Sequence, residues 1–276
     1  MTLILAATPL GNPGDASPRL KSAIENASII AAEDSRRFHR LCADIDVTFT
    51  ARVLSFFEGN EEDRTRELIA ELKSGATVLV VSDAGMPTIS DPGFRLMRDA
   101  IAGGIEVLVI PGPSAVTMSV ALSGLPTDRF SFEGFPPRTA GARLATFEKL
   151  RFEERTMVFF EAPHRLTDSL IDAVNVFGAD RLGAICREMT KRYEETIRGN
   201  LGELSAWASS NEVLGEITLV IAGAVTDSAS LTATDMVGRV REFEAAGMDR
   251  KSAIATVAEE FGIAKRLVYA AVVDAN

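Results

Sequence analysis

The sequence predicts an α/β protein: two α/β domains followed by a small helical tail. Three observations carry this expectation. Short apolar, β-rich runs alternate with stretches of helical spacing through the first half. Loops rich in glycine and proline stand directly after those runs. The 276 residues also exceed what one average domain uses.

Residues 3–7 read as a first strand. Residues 17–27 have helical spacing, with Ser17 as cap and Pro18 in the first turn. Residues 28–32 read as a second strand, followed by a helix carrying Arg36, Arg37 and Arg40. Residues 63–74 form another helix, closed by Gly75. Residues 77–81 are continuously apolar and β-branched, as in a strand buried on both faces of a parallel sheet. A helix over 92–103, a strand over 106–110 and a helix over 114–123 complete the half. This alternation predicts a parallel, doubly wound sheet.

Residues 124–130, with Gly, Pro and Asp, read as a hinge. A second α/β region follows, with strands at 157–161, 182–187 and 216–222 and helices at 166–177 and 201–209. Residues 226–230 form a small-residue linker. Three helices end the chain: 236–246 stopping at Gly247, one capped by Asp249 and ending at Gly262, and 264–274. The expected division is 1–124, 125–226 and 227–276.

Composition narrows the function. Cys42 and Cys186 are the two cysteines and no cluster of four ligands at metal spacing forms around either, so no disulfide framework and no metal site are expected. The first apolar run is too short for a signal sequence. No run reaches the ~18 apolar residues of a membrane span. A cytoplasmic protein without membrane attachment is the expectation. The net charge of −10 argues against a basic coat for indiscriminate nucleic-acid binding, but leaves room for a local basic cleft.

Ligands of open α/β sheets sit beyond the carboxyl ends of the strands, so the loops there carry the chemistry. Residues 8–15 make a tight turn with G-x-x-G but not G-x-G-x-x-G, which disfavours a nicotinamide-dependent dehydrogenase. Residues 82–93 leave a buried strand with Asp83 at its end, where a carboxylate either accepts hydrogen bonds from a ligand or braces the loop. Residues 111–115 enter a helix whose free N–H groups receive a polar ligand edge, or whose turn is simply capped by Ser114. Residues 159–165 carry His164 and Arg165, read as catalyst and phosphate contact or as helix start and surface ion pair. Residues 33–37 and 187–191 set acids beside bases at strand ends, for general-base and phosphate roles or for mutual pairing.

Taken in order, ATPLGNPGD (7–15), AAEDSRR (31–37), VSDAGMPTISDPG (81–93), VIPGPSA (109–115), GLPTDRFSFEGFPPR (124–138), FFEAPHRL (159–166), REMTKRYEETIRG (187–199) and GEITLVIAG (215–223) resemble one family. It is the ribosomal RNA small-subunit methyltransferase I family, within the tetrapyrrole-methylase superfamily. The resemblance implies two α/β domains of the tetrapyrrole-methylase type, S-adenosylmethionine in the cleft between them, and a homodimer. It implies methyl transfer to the 2′-oxygen of a cytidine in the decoding region of 16S ribosomal RNA, with the small ribosomal subunit as partner. By the same resemblance the cofactor lies against Leu10, Asp83, Met86, Ser114 and Ala115, with Phe160, Glu161, Arg187, Glu188 and Thr218 closing from the second domain. The final helices resemble the family's tail, somewhat like a helix-turn-helix. Their Lys251, Lys265 and Arg266 either touch RNA or form a solvated face.

A ribose hydroxyl is a poor nucleophile until its proton is drawn away, so a carboxylate is expected as general base. Asp34 is the first candidate and Glu161 the second. Arg36, Arg37, Arg40, Arg138, Arg143 and Arg165 are candidate phosphate contacts, since guanidinium groups pair with phosphate bidentately. Two rivals remain: a precorrin-type C-methyltransferase with a roomy apolar cleft, and a cofactor-binding ribosome-assembly factor that does no chemistry. The arginine-bearing segments oppose the first, and the acids at Asp34 and Glu161 oppose the second.

Overall fold

The computed structural model describes residues 1–224, 233–261 and 263–275. The expected linker at 226–230 and the expected helix end at Gly262 lie outside them.

The first sheet has five strands, β1 (Thr2–Ala6), β2 (Ile29–Ala32), β3 (Arg52–Ser55), β4 (Thr77–Val81) and β5 (Glu106–Ile110). Their order is β3-β2-β4-β1-β5, and every pairing is parallel. Successive side chains point to opposite faces. Ala6, Ile30, Leu79 and Val81 pack on Leu20 and Ile24 of α1 (Pro18–Asn26) and Phe38 and Cys42 of α2 (Ser35–Asp44). Leu3, Leu5, Val78 and Val80 pack on Leu68 and Leu72 of α3 (Glu61–Lys73) and Leu96 and Ala100 of α4 (Phe94–Ala102). Two helices per face make the sheet doubly wound. The Ser17 hydroxyl accepts the Leu20 N–H at 3.0 Å, so it caps α1 as expected.

The second sheet has β6 (Phe130–Gly134), β7 (Thr156–Glu161), β8 (Leu182–Arg187), β9 (Glu195–Asn200) and β10 (Ile217–Ile221). Its order is β6-β7-β10-β8-β9. Only the β6–β7 pairing is parallel. α5 (Ala115–Ser123) covers one face, with Val116 and Val120 against Val158, Ala184 and Val220. α6 (Ala140–Leu150), α7 (Leu166–Phe177) and α8 (Leu201–Ser210) cover the other, with Phe147, Leu170 and Leu204 around Phe159, Ile185 and Leu219. α5 therefore leaves the last strand of one sheet and lies on the next, which couples the halves.

Four elements were not expected from the sequence: β3, β6, β9 and α6. The three strands are all sheet edges. An edge strand is half exposed, so it needs no continuous apolar run. α6 hides because its inward face includes an arginine. Arg143 is 4 % exposed and meets the Asp172 carboxylate of α7 through Nε at 2.7 Å and Nη2 at 2.6 Å. Arg143 is thus an internal ion pair, and its expected phosphate contact is overturned.

The tail packs α9 (Ala233–Ala245), α10 (Arg250–Glu260) and α11 (Lys265–Asp274) around Val237, Val240, Val257, Val268 and Val272. The Asp249 carboxylate accepts the Lys251 and Ser252 N–H groups at 3.1 Å each, the expected cap. Among the described residues no helix is long and apolar enough to cross a membrane. Cys42 and Cys186 are buried free thiols, and burial pushes each up to about 11.

Breaking a buried ion pair leaves one charge desolvated and unpaired, at about 3–5 kcal/mol. Asp172→Ala is expected to lower unfolding free energy in urea by that amount. The double replacement Arg143→Met, Asp172→Leu is expected to recover most of it. Equal stabilities for wild type and Asp172→Ala would remove the pair from the account of the core.

Candidate active site

β1 and β4 are neighbours, yet their crossovers leave on opposite faces of the sheet. The loops beyond them diverge and open a crevice at the carboxyl edge, where ligands of such sheets bind. The loops are stitched at their base: the Thr8 N–H donates to the Gly85 carbonyl at 2.8 Å, and the Gly85 N–H to the Thr8 carbonyl at 3.1 Å. Gly85 holds φ +80°, a conformation glycine adopts freely. The β5–α5 loop closes in at Gly112, where a Cβ would come within 2.9 Å of the Ala7 Cβ. The cleft holds about 480 Å³. Leu10, Met86, Ala115, Val116, Phe160 and Ile217 give it apolar walls.

Its polar side is a set of carboxylates. The Glu33 carboxylate accepts the Asp83 N–H at 3.0 Å, and the Asp83 carboxylate accepts the Asp34 N–H at 3.0 Å. These reciprocal bonds lock the loop after β2 to the loop after β4. Arg37 reaches the other Asp83 oxygen at 3.2 Å. Burial raises both Glu33 and Asp83 above the usual carboxylate range. Asp91 rises furthest, to about 7, through burial and then through the charge of Glu33. The loop is also strained: Thr88 and Ser90 hold φ +77° and +64°. Non-glycine residues rarely adopt such angles away from functional sites.

Asp34 stands beside this cleft, in a recess shared with Glu33, Arg37 and Asp83. It caps α2 by accepting the N–H groups of Arg36 and Arg37 at 2.8 and 3.3 Å, and it pairs with the Arg36 guanidinium at 3.0 Å. Those donors, the Arg36 side chain first, hold its carboxyl down to about 2.

The second sheet contributes through the α5 face of β7 and β10. Phe160 and Thr218 lie on that face and line the cleft. Glu161 alternates to the other face, with Met157 and Phe159. Its carboxylate is 0 % exposed and accepts from the Ser169 hydroxyl and the Ala162 N–H. Glu161 is among the residues lining the cleft, but its carboxylate is already held on the α7 side by these donors, which weighs against its expected role as proton acceptor. Arg165 lies 3.4 Å from Glu161 and donates to the Pro136 and Pro137 carbonyls, so it braces a loop.

Of the expected cofactor residues, Leu10, Asp83, Met86, Ser114, Ala115, Phe160, Glu161 and Thr218 line one cleft. Arg187 and Glu188 do not. Arg187 pairs with Glu195 at 2.8 Å. Glu188 accepts the Glu216 N–H at 2.9 Å and thereby fixes a cleft residue from behind. Arg36 and Arg138 are exposed, and Arg40 reaches Asp44 at 3.8 Å. The sequence reading missed Glu33, Asp91, Phe135 and Glu216 as cleft residues. Glu33 and Asp91 had a signal, since both lie inside segments already singled out at strand ends, 33–37 and 82–93.

The donor set fits a nucleoside-like cofactor with a charged tail. Apolar walls suit an aromatic base, and carboxylates suit hydroxyl and amino groups. The N-terminus of α5 carries no side-chain cap, so its first N–H groups stay free for an anion.

Fold and cleft together define a tetrapyrrole-methylase type of protein. The family model described as tetrapyrrole (corrin/porphyrin) methylases matches residues 2–205. The crystal structure of the methyltransferase CobJ superposes with a TM-score of 0.62 at 18 % identity, covering 82 % of this chain and 94 % of that one. Uroporphyrin-III-C-methyltransferase from Thermus thermophilus gives 0.58 at 16 %, covering 80 % and 94 %. Sequence relatives are nearer. A protein named ribosomal RNA small subunit methyltransferase I from Mycobacterium tuberculosis is 48 % identical over 99 % of this chain and 95 % of its own length. One of the same name from Pseudomonas aeruginosa is 39 % identical over 97 % and 95 %. The chain belongs to the ribosomal RNA small subunit methyltransferase I family of tetrapyrrole methylases.

The Asp91 carboxyl gives a test of the cleft's electrostatics. Its folded value of about 7 exceeds its ordinary 3.8. Between those values the folded protein keeps a proton that the unfolded chain has lost, so stability falls as pH rises through that window. Asp91→Asn removes the decline. It should raise Tm relative to wild type at pH 8 and change it little at pH 4, read by circular dichroism melts. Identical Tm–pH curves would show that Asp91 is not desolvated.

Proposed function

We propose that this protein is an S-adenosylmethionine-dependent methyltransferase that methylates the 2′-hydroxyl of a cytidine ribose in the decoding region of 16S ribosomal RNA. The observation that carries the reading is the near-full-length match to relatives named for small-subunit ribosomal RNA, joined to a cleft fit for the cofactor. The cytoplasm is the place of action on this reading. Pairing as a homodimer belongs to it too: edge strand β5 exposes Leu108 and Val109, an apolar strip that a second copy would cover.

Leu10, Asp83, Met86, Ser114, Ala115, Phe160 and Thr218 would hold the cofactor, with Arg187 and Glu188 supporting the closing strands. When bound, it supplies a methyl group on a sulfonium, an electrophile needing no further activation. The chain must then hold the ribose oxygen in line and take its proton. Positioning of this kind removes up to about 7–11 kcal/mol of barrier in ideal cases.

Asp34 is the proposed proton acceptor. In the free protein the Arg36 guanidinium keeps it a weak base. Arg36 is 90 % exposed, so an RNA phosphate competes for it directly. Transfer of Arg36 to that phosphate frees the second Asp34 oxygen and raises its proton affinity as the substrate arrives. Arg37 and Arg138 are further phosphate contacts on this reading. Arg165 supports the loop that carries Pro136 and Pro137. A second reading has one specific observation behind it: Asp91 lines the cleft, and burial and then the Glu33 charge push its carboxyl up to about 7, where a general base is most effective.

The test uses small ribosomal subunits from cells lacking this protein, with radiolabelled S-adenosylmethionine and mapping of the label. Label on one decoding-region ribose is the expected outcome. No label, with cofactor binding intact, would overturn the reading. Asp34→Asn keeps a helix cap. It should cut turnover by about 10²–10⁴-fold while cofactor affinity stays within about twofold. A pH–rate profile broken near 7, and flattened in Asp91→Asn, would move the role to Asp91.

A further inference from the structure

A second cavity, of about 590 Å³, lies far along the chain from the cleft, between α10 and α11. Arg250 and Lys251 line it from the first turn of α10, and Lys265 and Arg266 from the first turn of α11. Tyr269 and Ile254 complete the wall. Four of the six lysines and arginines after residue 232 thus meet in one groove, on a chain whose net charge is −10.

Cations in the first turn of a helix oppose its dipole. α11 also lacks a side-chain cap, and of its first three N–H groups the Leu267 N–H is taken by the Ala264 carbonyl at 2.8 Å. Among the described residues Lys251, Lys265 and Arg266 form no ion pair, and Arg250 only reaches Glu244 at 3.9 Å. Pairing is available nearby: Arg239 binds Glu242 at 2.6 Å and Glu260 at 2.9 Å. Asp249 already caps α10, so the helix ends do not make the site. The four side chains line the groove with their apolar stems and hold their charges at its exposed rim, where they can meet an anion. Tyr269 is 61 % exposed beside them. An exposed aromatic ring among cations suits a polyanion that also carries stackable bases.

We propose that this groove binds the substrate RNA, gripping its phosphates with Arg250, Lys251, Lys265 and Arg266 and stacking one base on Tyr269. The proposal rests on the methyltransferase reading above and adds a second RNA contact outside the cleft. The tetrapyrrole-methylase model stops at residue 205, whereas the Mycobacterium tuberculosis relative matches 275 residues of this chain. The tail thus goes with the relatives named for ribosomal RNA.

The test compares wild type with two variants, Lys265→Glu/Arg266→Glu and Tyr269→Ala. Probes are unmethylated small subunits and a labelled 16S RNA fragment, with binding followed against salt. Glutamates in a first turn favour the helix dipole, so the double variant should fold at least as well as wild type. It should bind both probes at least about tenfold more weakly, with a salt slope reduced by about 2. KM for subunits should rise by the same factor while cofactor affinity holds. Tyr269→Ala should weaken binding without changing the slope. Wild-type affinity and slope in both variants would overturn the proposal. Loss on subunits alone, with the RNA fragment bound normally, would assign the groove to a ribosomal protein and overturn the RNA assignment. Absence of label from wild type itself would instead overturn the reading beneath it.

Discussion

The cleft depends on a pair of reciprocal bonds, Glu33 carboxylate to Asp83 N–H and Asp83 carboxylate to Asp34 N–H. The strand order opens a crevice at the carboxyl edge but leaves its loops unpaired. Loop backbone carries as many polar groups as a strand and must satisfy them somewhere. Here the two loops satisfy each other through short acidic side chains. The same bonds place Asp34 at the head of α2, and hence set the positions of Arg36 and Arg37.

That solution has an electrostatic consequence. Each carboxylate that braces a loop is also desolvated, and each raises its neighbours. Asp91 receives the sum, since it faces Glu33 and Asp83 and has only the Ser82 hydroxyl in compensation. Asp34 escapes because two helix N–H groups and a guanidinium surround it. Two aspartates of one site are thus driven to opposite ends of their range, one ready to hold a proton near neutrality and one to refuse it. Separation of this kind sorts acid from base roles in enzyme sites.

Much of this was legible in the sequence. The inner parallel strands read clearly because burial on both faces demands unbroken apolar runs, as in residues 77–81. The loops that build the cleft read clearly because close backbone approach demands glycine, as at Gly85 and Gly112. What escaped were features fixed only by tertiary contacts. β3, β6 and β9 sit at edges, where one side is wet and the pattern thins. Arg143 read as a surface cation because nothing local announces Asp172, 29 residues away. Glu161 read as catalytic because it stands at a strand end, yet the pleat turns its carboxylate toward α7. Alternation along residues 156–161 places it opposite Phe160, so strand parity, once β7 is assigned, identifies its face.

The charge of the molecule then takes on a meaning that composition alone did not give. An acidic protein is repelled by RNA at long range, but at physiological salt that repulsion fades beyond about 8 Å. Contact is therefore decided locally, by where the unpaired cations stand. Most cations here are committed: Arg52, Arg66, Arg143, Arg155 and Arg239 all pair with carboxylates. An RNA that meets only the paired surface gains little, since each phosphate must displace an acid already in place. An RNA shaped to reach Arg138 and the tail groove together gains at each of those contacts, while at Arg36 it must draw the guanidinium away from Asp34. Its two attachments also reinforce one another, because the second forms at high effective concentration. Net negative charge thereby favours one folded substrate over the bulk of cellular RNA, which a uniformly basic surface would not.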